Sequence, residues 1–140
     1  MIEYFSESEF TLKNPKKYTE WIINRVHEDS RALGRIAYIF CDDAYLLNIN
    51  REYLNHDYFT DIITFPYNQA REINGDIFIS VERVKENAAH YEVDFDFELS
   101  RVMIHGILHL LGWKDDTPTA KDQMRNEENR CLRMFHVKQK

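Results

Sequence analysis

The stretch "VMIHGILHLL", residues 102–111, places apolar side chains around nearly the whole circumference of a helix. A helix that is apolar all round has no face to give to water, so the chain must build itself around it. Two histidines, His105 and His109, sit inside this stretch. Burying two imidazoles without partners would cost on the order of several kcal/mol, so the same segment that sets the core also demands something for the histidines to bind.

Residues four apart lie one turn above each other on one side of a helix. His105 and His109 therefore point the same way, as two ligands of one zinc ion or similar divalent cation must. The full segment reads "HGILHLLGWKDD", residues 105–116. Gly112 falls where a helix can end in a left-handed residue, and the chain then turns back. Asp115 follows His109 by six residues, enough to return a carboxylate to the same ion. Two hydrogen-bonded histidines with no metal are the simpler reading of an i, i+4 pair; the glycine turn and the following acid favour the metal. The pattern departs from the H-E-x-x-H of zinc proteases, because Gly106 stands where their glutamate base would be.

Periodicity supplies the frame. "IEYFS" is a short strand. Asn14-Pro15 opens a helix whose apolar positions Tyr18, Trp21, Ile22, Val26 and Leu33 run to Gly34. "RIAYIFC" is a strand, and Asp42 or Asp43 caps a helix with Leu46, Leu47, Ile49, Tyr53 and Leu54 on its apolar face. "DIITFPY" and "DIFIS" form an antiparallel hairpin through a polar loop ending at Asn74-Gly75. Ser80 caps a helix to about Val93, Asp94 or Asp96 caps the histidine helix, and Thr117-Pro118 starts a last helix. Along one side of that last helix lie Ala120, Met124, Glu128, Cys131, Leu132 and Phe135. The order β-α-β-α-β-β-α-α-α predicts an α/β (α+β) domain spanning residues 1–140. It consists of a small mixed sheet of about four strands with helices packed on it and the histidine helix buried at the centre.

Composition excludes several classes. No apolar run approaches the roughly 20 residues of a membrane span, and "MIEYFSESEF" lacks a signal peptide's basic start and apolar core, so a cytoplasmic protein without membrane partners is expected. A net charge of −6 argues against non-specific wrapping of nucleic acid. Arg130, Arg133, Lys138 and Lys140 give a basic C-terminal stretch, read as a solvated tail. Cys41 and Cys131, far apart, read as small buried hydrophobes. His27, His56, His90 and His136 lack ligand spacing and read as surface or helix-face residues. Trp113 reads as packing against the motif helix, with base stacking as its other use, and Lys114 with Arg101 would give a local positive field.

"HGILHLLGWKDD" resembles the H-G-x-L-H-L-x-G-Y-D-H signature of the YbeY family of endoribonucleases. "FTDIITFPY…NGDIFIS" resembles that family's P-T-D-V-L-S-F-P and G-D-I-x-I-S motifs, so the resemblance spans roughly residues 40–130. It implies a metal-dependent, single-strand-specific endoribonuclease that matures the 3′ end of 16S ribosomal RNA. Ribosomal RNA, the small subunit and assembly factors are its implied partners, ribosome quality control its wider role, and one Zn2+ its cofactor. The carried-over metal ligands are His105, His109 and Asp115, where the family's third ligand is a histidine. Asp116 is then an alternative ligand or a group behind the ligands. A carboxylate in third place lowers the positive charge of the site, depresses the pKa of a bound water less than three imidazoles do, and leaves room for manganese or iron. Asp61, in the matching Thr60-Asp61 pair, would orient a ligand histidine, or else simply open a strand. The family's upstream arginine is Leu54 here, with Arg51 one turn earlier as a substitute. A zinc metallopeptidase, and a non-catalytic ribosome-assembly factor with a structural metal, are the competing readings.

Overall fold

The computed structural model describes residues 1–137. The basic positions Lys138 and Lys140 of the C-terminal stretch lie outside the described residues. Strand β1 (Ile2–Ser6) is followed by helix α1 (Pro15–Glu28), strand β2 (Ala32–Cys41) and helix α2 (Asp43–Leu54). Strands β3 (Ile62–Pro66) and β4 (Glu72–Ser80) come next, then helices α3 (Val81–Tyr91), α4 (Phe95–Leu110) and α5 (Pro118–Val137). The sheet runs β1-β2-β4-β3. β2 pairs in parallel with β1 and β4, while β3 pairs antiparallel with β4 and forms an edge. The fold is the small mixed sheet with packed helices that the element order implies.

Helix starts follow local chemistry. Asp42 Oδ1 accepts from the amide of Tyr45 at 2.8 Å, and Ser80 Oγ accepts from Arg83 at 3.2 Å. Thr117 Oγ1 accepts from Ala120 at 3.0 Å. Asp94 precedes α4 but its side chain makes no cap bond, and α3 ends at Tyr91 with Glu92 left-handed.

Three local expectations are corrected. α1 stops at Glu28 rather than running to Gly34, because Ser30 turns left-handed and the amides of Ser30 and Arg31 close onto His27 O and Val26 O. Leu33 matched the helical spacing but belongs to β2, where a strand side chain happens to meet the same core. Asn74-Gly75 lies inside β4, not in the turn; Ala70 supplies the positive φ there, next to a Gln69–Glu72 bridge. Asn74 serves the sheet instead, since its Oδ1 accepts from the amide of Arg35 at 2.7 Å where the β2–β4 register shifts. Of the apolar face expected on α2, Leu46 is buried, while Tyr53 is 69% exposed and Leu54 also faces solvent.

α4 runs through the core as its composition demands. Leu99, Val102, Met103, Ile104, Ile107 and Leu108 are buried on all sides of it, against α3, α5 and the β3–β4 half of the sheet. Gly106 lets α4 lie close on the sheet: a Cβ there would stand 3.1 Å from methyl groups of Ile62 and Ile77. α1 is tied to α5 by the buried Arg25, which reaches Glu127 at 2.8 Å, and by Trp21 Nε1 donating to Cys131 O at 2.9 Å. Cys41 and Cys131 are both buried free thiols, their pKa values pushed up to about 12 mainly by that burial. Among the described residues no helix is long and apolar enough to cross a membrane.

Candidate metal centre at the junction of two clefts

The last two turns of α4 carry His105 and His109 on the side facing away from the deepest core, and both are half-buried. Gly112, at φ 100, ends the run, and the amide of Trp113 closes onto Leu108 O at 2.9 Å. The chain then comes back along its own helix and places Asp115 against both rings. His105 Nε2 lies 2.9 Å from His109 Nε2, and each nitrogen lies 3.4 Å from Asp115 Oδ2. These three are the one group of His, Cys, Asp and Glu among the described residues placed to share a metal ion.

The far side of each ring decides what the near side can do. His109 Nδ1 donates to the carbonyl of Trp113 at 3.2 Å; a carbonyl only accepts, so the proton sits on Nδ1 and the Nε2 lone pair faces the cluster. His105 Nδ1 donates to Glu128 Oε2 at 2.6 Å, which likewise turns its Nε2 lone pair inward. Two nitrogen lone pairs and a carboxylate oxygen therefore converge, and only a cation, a proton or a metal, can sit among them. Tetrahedral zinc with bonds of about 2.0–2.1 Å sets its ligand atoms roughly 3.3 Å apart, close to the spacing found here. The donor set fits a divalent ion.

Glu128 was visible in the sequence only as an acid in the apolar stripe of α5. That position was itself a signal, since a carboxylate on a core face needs partners. It is buried, and Arg101 meets its other oxygen at 3.0 Å. Arg101 also lies 3.6 Å from Glu98, so its charge is spent on the cluster's support rather than offered to a substrate. Burial lowers the proton affinity of His105, but the Glu128 hydrogen bond and the charges of Glu128, Asp115 and Asp61 outweigh it and leave the pKa raised. His109 goes the other way: burial and then the neighbouring His105 push it down against the pull of Asp115.

The other expected residues fall into place around this centre. Asp61 precedes β3 at the same junction but makes no orienting bond to a histidine; Glu128 and the Trp113 carbonyl take that part. Asp61 accepts instead from Asn87 Nδ2 at 3.3 Å, and its pKa is raised, chiefly by burial and against the pull of His105. Asp116 is exposed and stands outside the cluster. Arg51 is exposed and pairs with Asp57, while Asn50 and Leu54 of the same helix line the neighbouring cleft. Trp113 packs against the core beneath the Arg25 guanidinium, 5.8 Å from its ring centre.

Two clefts meet at the cluster. One, of about 470 Å³, opens between α4 and α5 and has Lys121 and Arg125 on its wall. The other, of about 570 Å³, runs between β3 and the loop after α2. His105, Asp115, Asp61 and Ile62 line both.

The sequence pattern of the family described as Endoribonuclease YbeY matches residues 2–136. The chain belongs to the YbeY family. The Endoribonuclease YbeY of Flavobacterium johnsoniae is 49% identical over 139 residues, covering 99% of this chain and 100% of that protein. That of Flavobacterium psychrophilum is 48% identical, covering 99% of each chain. The solution structure of TM1509 from Thermotoga maritima shares the fold, with a TM-score of 0.70 and 24% identity over 99% of this chain and 91% of that one. In this member of the family the carboxylate of Asp115 is the third member of the cluster.

Proposed function

We propose that this chain is a metal-dependent, single-strand-specific endoribonuclease that matures the 3′ end of 16S ribosomal RNA and acts in ribosome quality control. Zinc held by His105, His109 and Asp115 is its ion, the cytoplasm its compartment, and the small ribosomal subunit with its assembly factors its setting. The observation that carries the reading is the convergence of two inward lone pairs and a carboxylate where two open clefts meet. Its near full-length relatives, themselves called endoribonucleases, support the RNA substrate.

Three ligands, rather than four, favour a working site over a closed structural one. A bound divalent ion would polarise a phosphoryl oxygen and bring water within reach of ionisation near neutral pH. The chain's own residues do the rest. Glu128 and the Trp113 carbonyl fix both imidazoles, Lys121 and Arg125 attract the backbone phosphates of an RNA strand, and Asp61 lines both clefts beside the cluster. The peptidase alternative lacks its base: Gly106 stands at that position, and a Cβ there would point toward methyl groups of Ile62 and Ile77 in the sheet, 3.1 Å away.

The test is incubation of the metal-loaded protein with a single-stranded oligoribonucleotide, its duplex and casein, beside the His105→Ala/His109→Ala variant. Cleavage of the single strand alone, lost in the variant, is expected. Proteolysis of casein without RNA cleavage would overturn the assignment.

A further inference from the structure

The cleft between β3 and the loop after α2 has two unlike ends. One is the metal cluster with Asp61; the other is built from Leu54, His56 and Tyr58 and carries no carboxylate. Tyr58 is 56% exposed, a large ring on the wall of a cleft that leads to the metal ligands.

This ring is held in place. Tyr58 and His56 stack with centroids 5.2 Å apart and planes inclined by 21°, and Tyr58 Oη lies 3.0 Å from His56 Nδ1. Beneath them the buried Asn50 donates from Nδ2 to the Tyr58 carbonyl at 2.9 Å, while the amide of His56 donates to Asn50 O at 3.0 Å. A planar pair anchored in this way can stack a planar ligand at little cost in side-chain freedom. Opposite it runs β3, paired only with β4 among the described strands, so its outer edge offers backbone N–H and C=O groups to a polar heterocycle rim.

We propose that the His56–Tyr58 pair is a base-stacking subsite, taking one unpaired nucleobase next to the scissile phosphate while that phosphate lies at the His105–His109–Asp115 cluster. The proposal rests on the ribonuclease reading. It favours a nucleobase over an aliphatic side chain because the wall is a stacked ring pair facing a polar strand edge. It also gives single-strand selectivity a local cause, since a base must leave its own helix to reach Tyr58.

The experiment measures steady-state cleavage of short single-stranded oligoribonucleotides in which each nucleotide in turn is abasic, by wild type, Tyr58→Leu and Tyr58→Phe. Tyr58→Leu raises KM about 10-fold with kcat unchanged, as loss of one base–aromatic stack implies, and Tyr58→Phe, which keeps the ring but loses the bond to His56 Nδ1, raises KM by a smaller factor. One abasic position beside the cleavage site costs wild type a similar factor and costs Tyr58→Leu nothing more. A wild-type KM in Tyr58→Leu, or an abasic penalty undiminished in it, would overturn the subsite while leaving the ribonuclease standing. Failure of the metal-loaded wild type to cleave any of the RNAs would overturn both. The Phe variant separates loss of the ring from loss of the hydroxyl, and the exposed position of Tyr58 lets both variants fold.

Discussion

The nitrogen of His105 that faces away from the cluster governs the one that faces it. With Glu128 bonded to Nδ1, the imidazole is held in one orientation and made a better donor at Nε2. Glu128→Gln keeps an acceptor of the same shape but removes its charge, so metal affinity is expected to fall by about 10-fold, as for other groups behind metal ligands. In metal-free protein the same change lowers the raised pKa of His105, which a ring-proton NMR titration reads directly. A folded-state pKa above the ordinary value of about 6.5 contributes stability that is fully present below that value and is lost as pH rises through the folded one. His109, pushed down, works in reverse and loses its contribution as pH falls. An unchanged His105 titration in the Gln variant would refute the role given to Glu128. This residue pairs across 23 positions of sequence, which is why spacing rules that find His105 and His109 do not find it.

At the scale of elements, the turn after α4 is the part on which the centre depends. Gly112 adopts φ 100 with nothing near its missing Cβ, so Gly112→Ala costs backbone strain alone, about 1–2 kcal/mol in urea unfolding of metal-free protein. Because the same turn carries the Trp113 carbonyl and Asp115, the variant also binds metal more weakly than its stability loss accounts for. Equal metal affinity would show that Asp115 reaches the histidines by some other route. The turn was legible in the sequence because glycine and the two histidines share one short stretch. The end of α1 was not: Leu33 fits a helical repeat counted from Val26, and only the left-handed turn at Ser30 reveals that it enters a strand. Asn74-Gly75 misled in a similar way, since a pair common in hairpin turns here serves the β2–β4 register through an asparagine side chain.

For the molecule as a whole, the mixed sheet and the central helix were readable because strand and helix periodicities are local and the apolar girth of α4 admits no surface position. What stayed hidden were long-range polar partnerships, such as Arg25 with Glu127 and Arg101 with Glu128: even the acid in the apolar stripe of α5 does not say which cation or histidine it meets until two helices are packed together. The acidic balance of the chain likewise conceals that Lys121 and Arg125 stand on the wall of a cleft that His105 and Asp115 also line. The claim joining these levels is that two helical histidines and one returning aspartate hold a catalytic ion. Elemental analysis of purified wild type and Asp115→Ala, run beside RNA cleavage by the same samples, tests it most directly. One divalent ion per chain in wild type is predicted, with ion content and cleavage falling together in the variant and both recovering when excess ion is supplied. A variant that keeps its full ion and its full rate would contradict it.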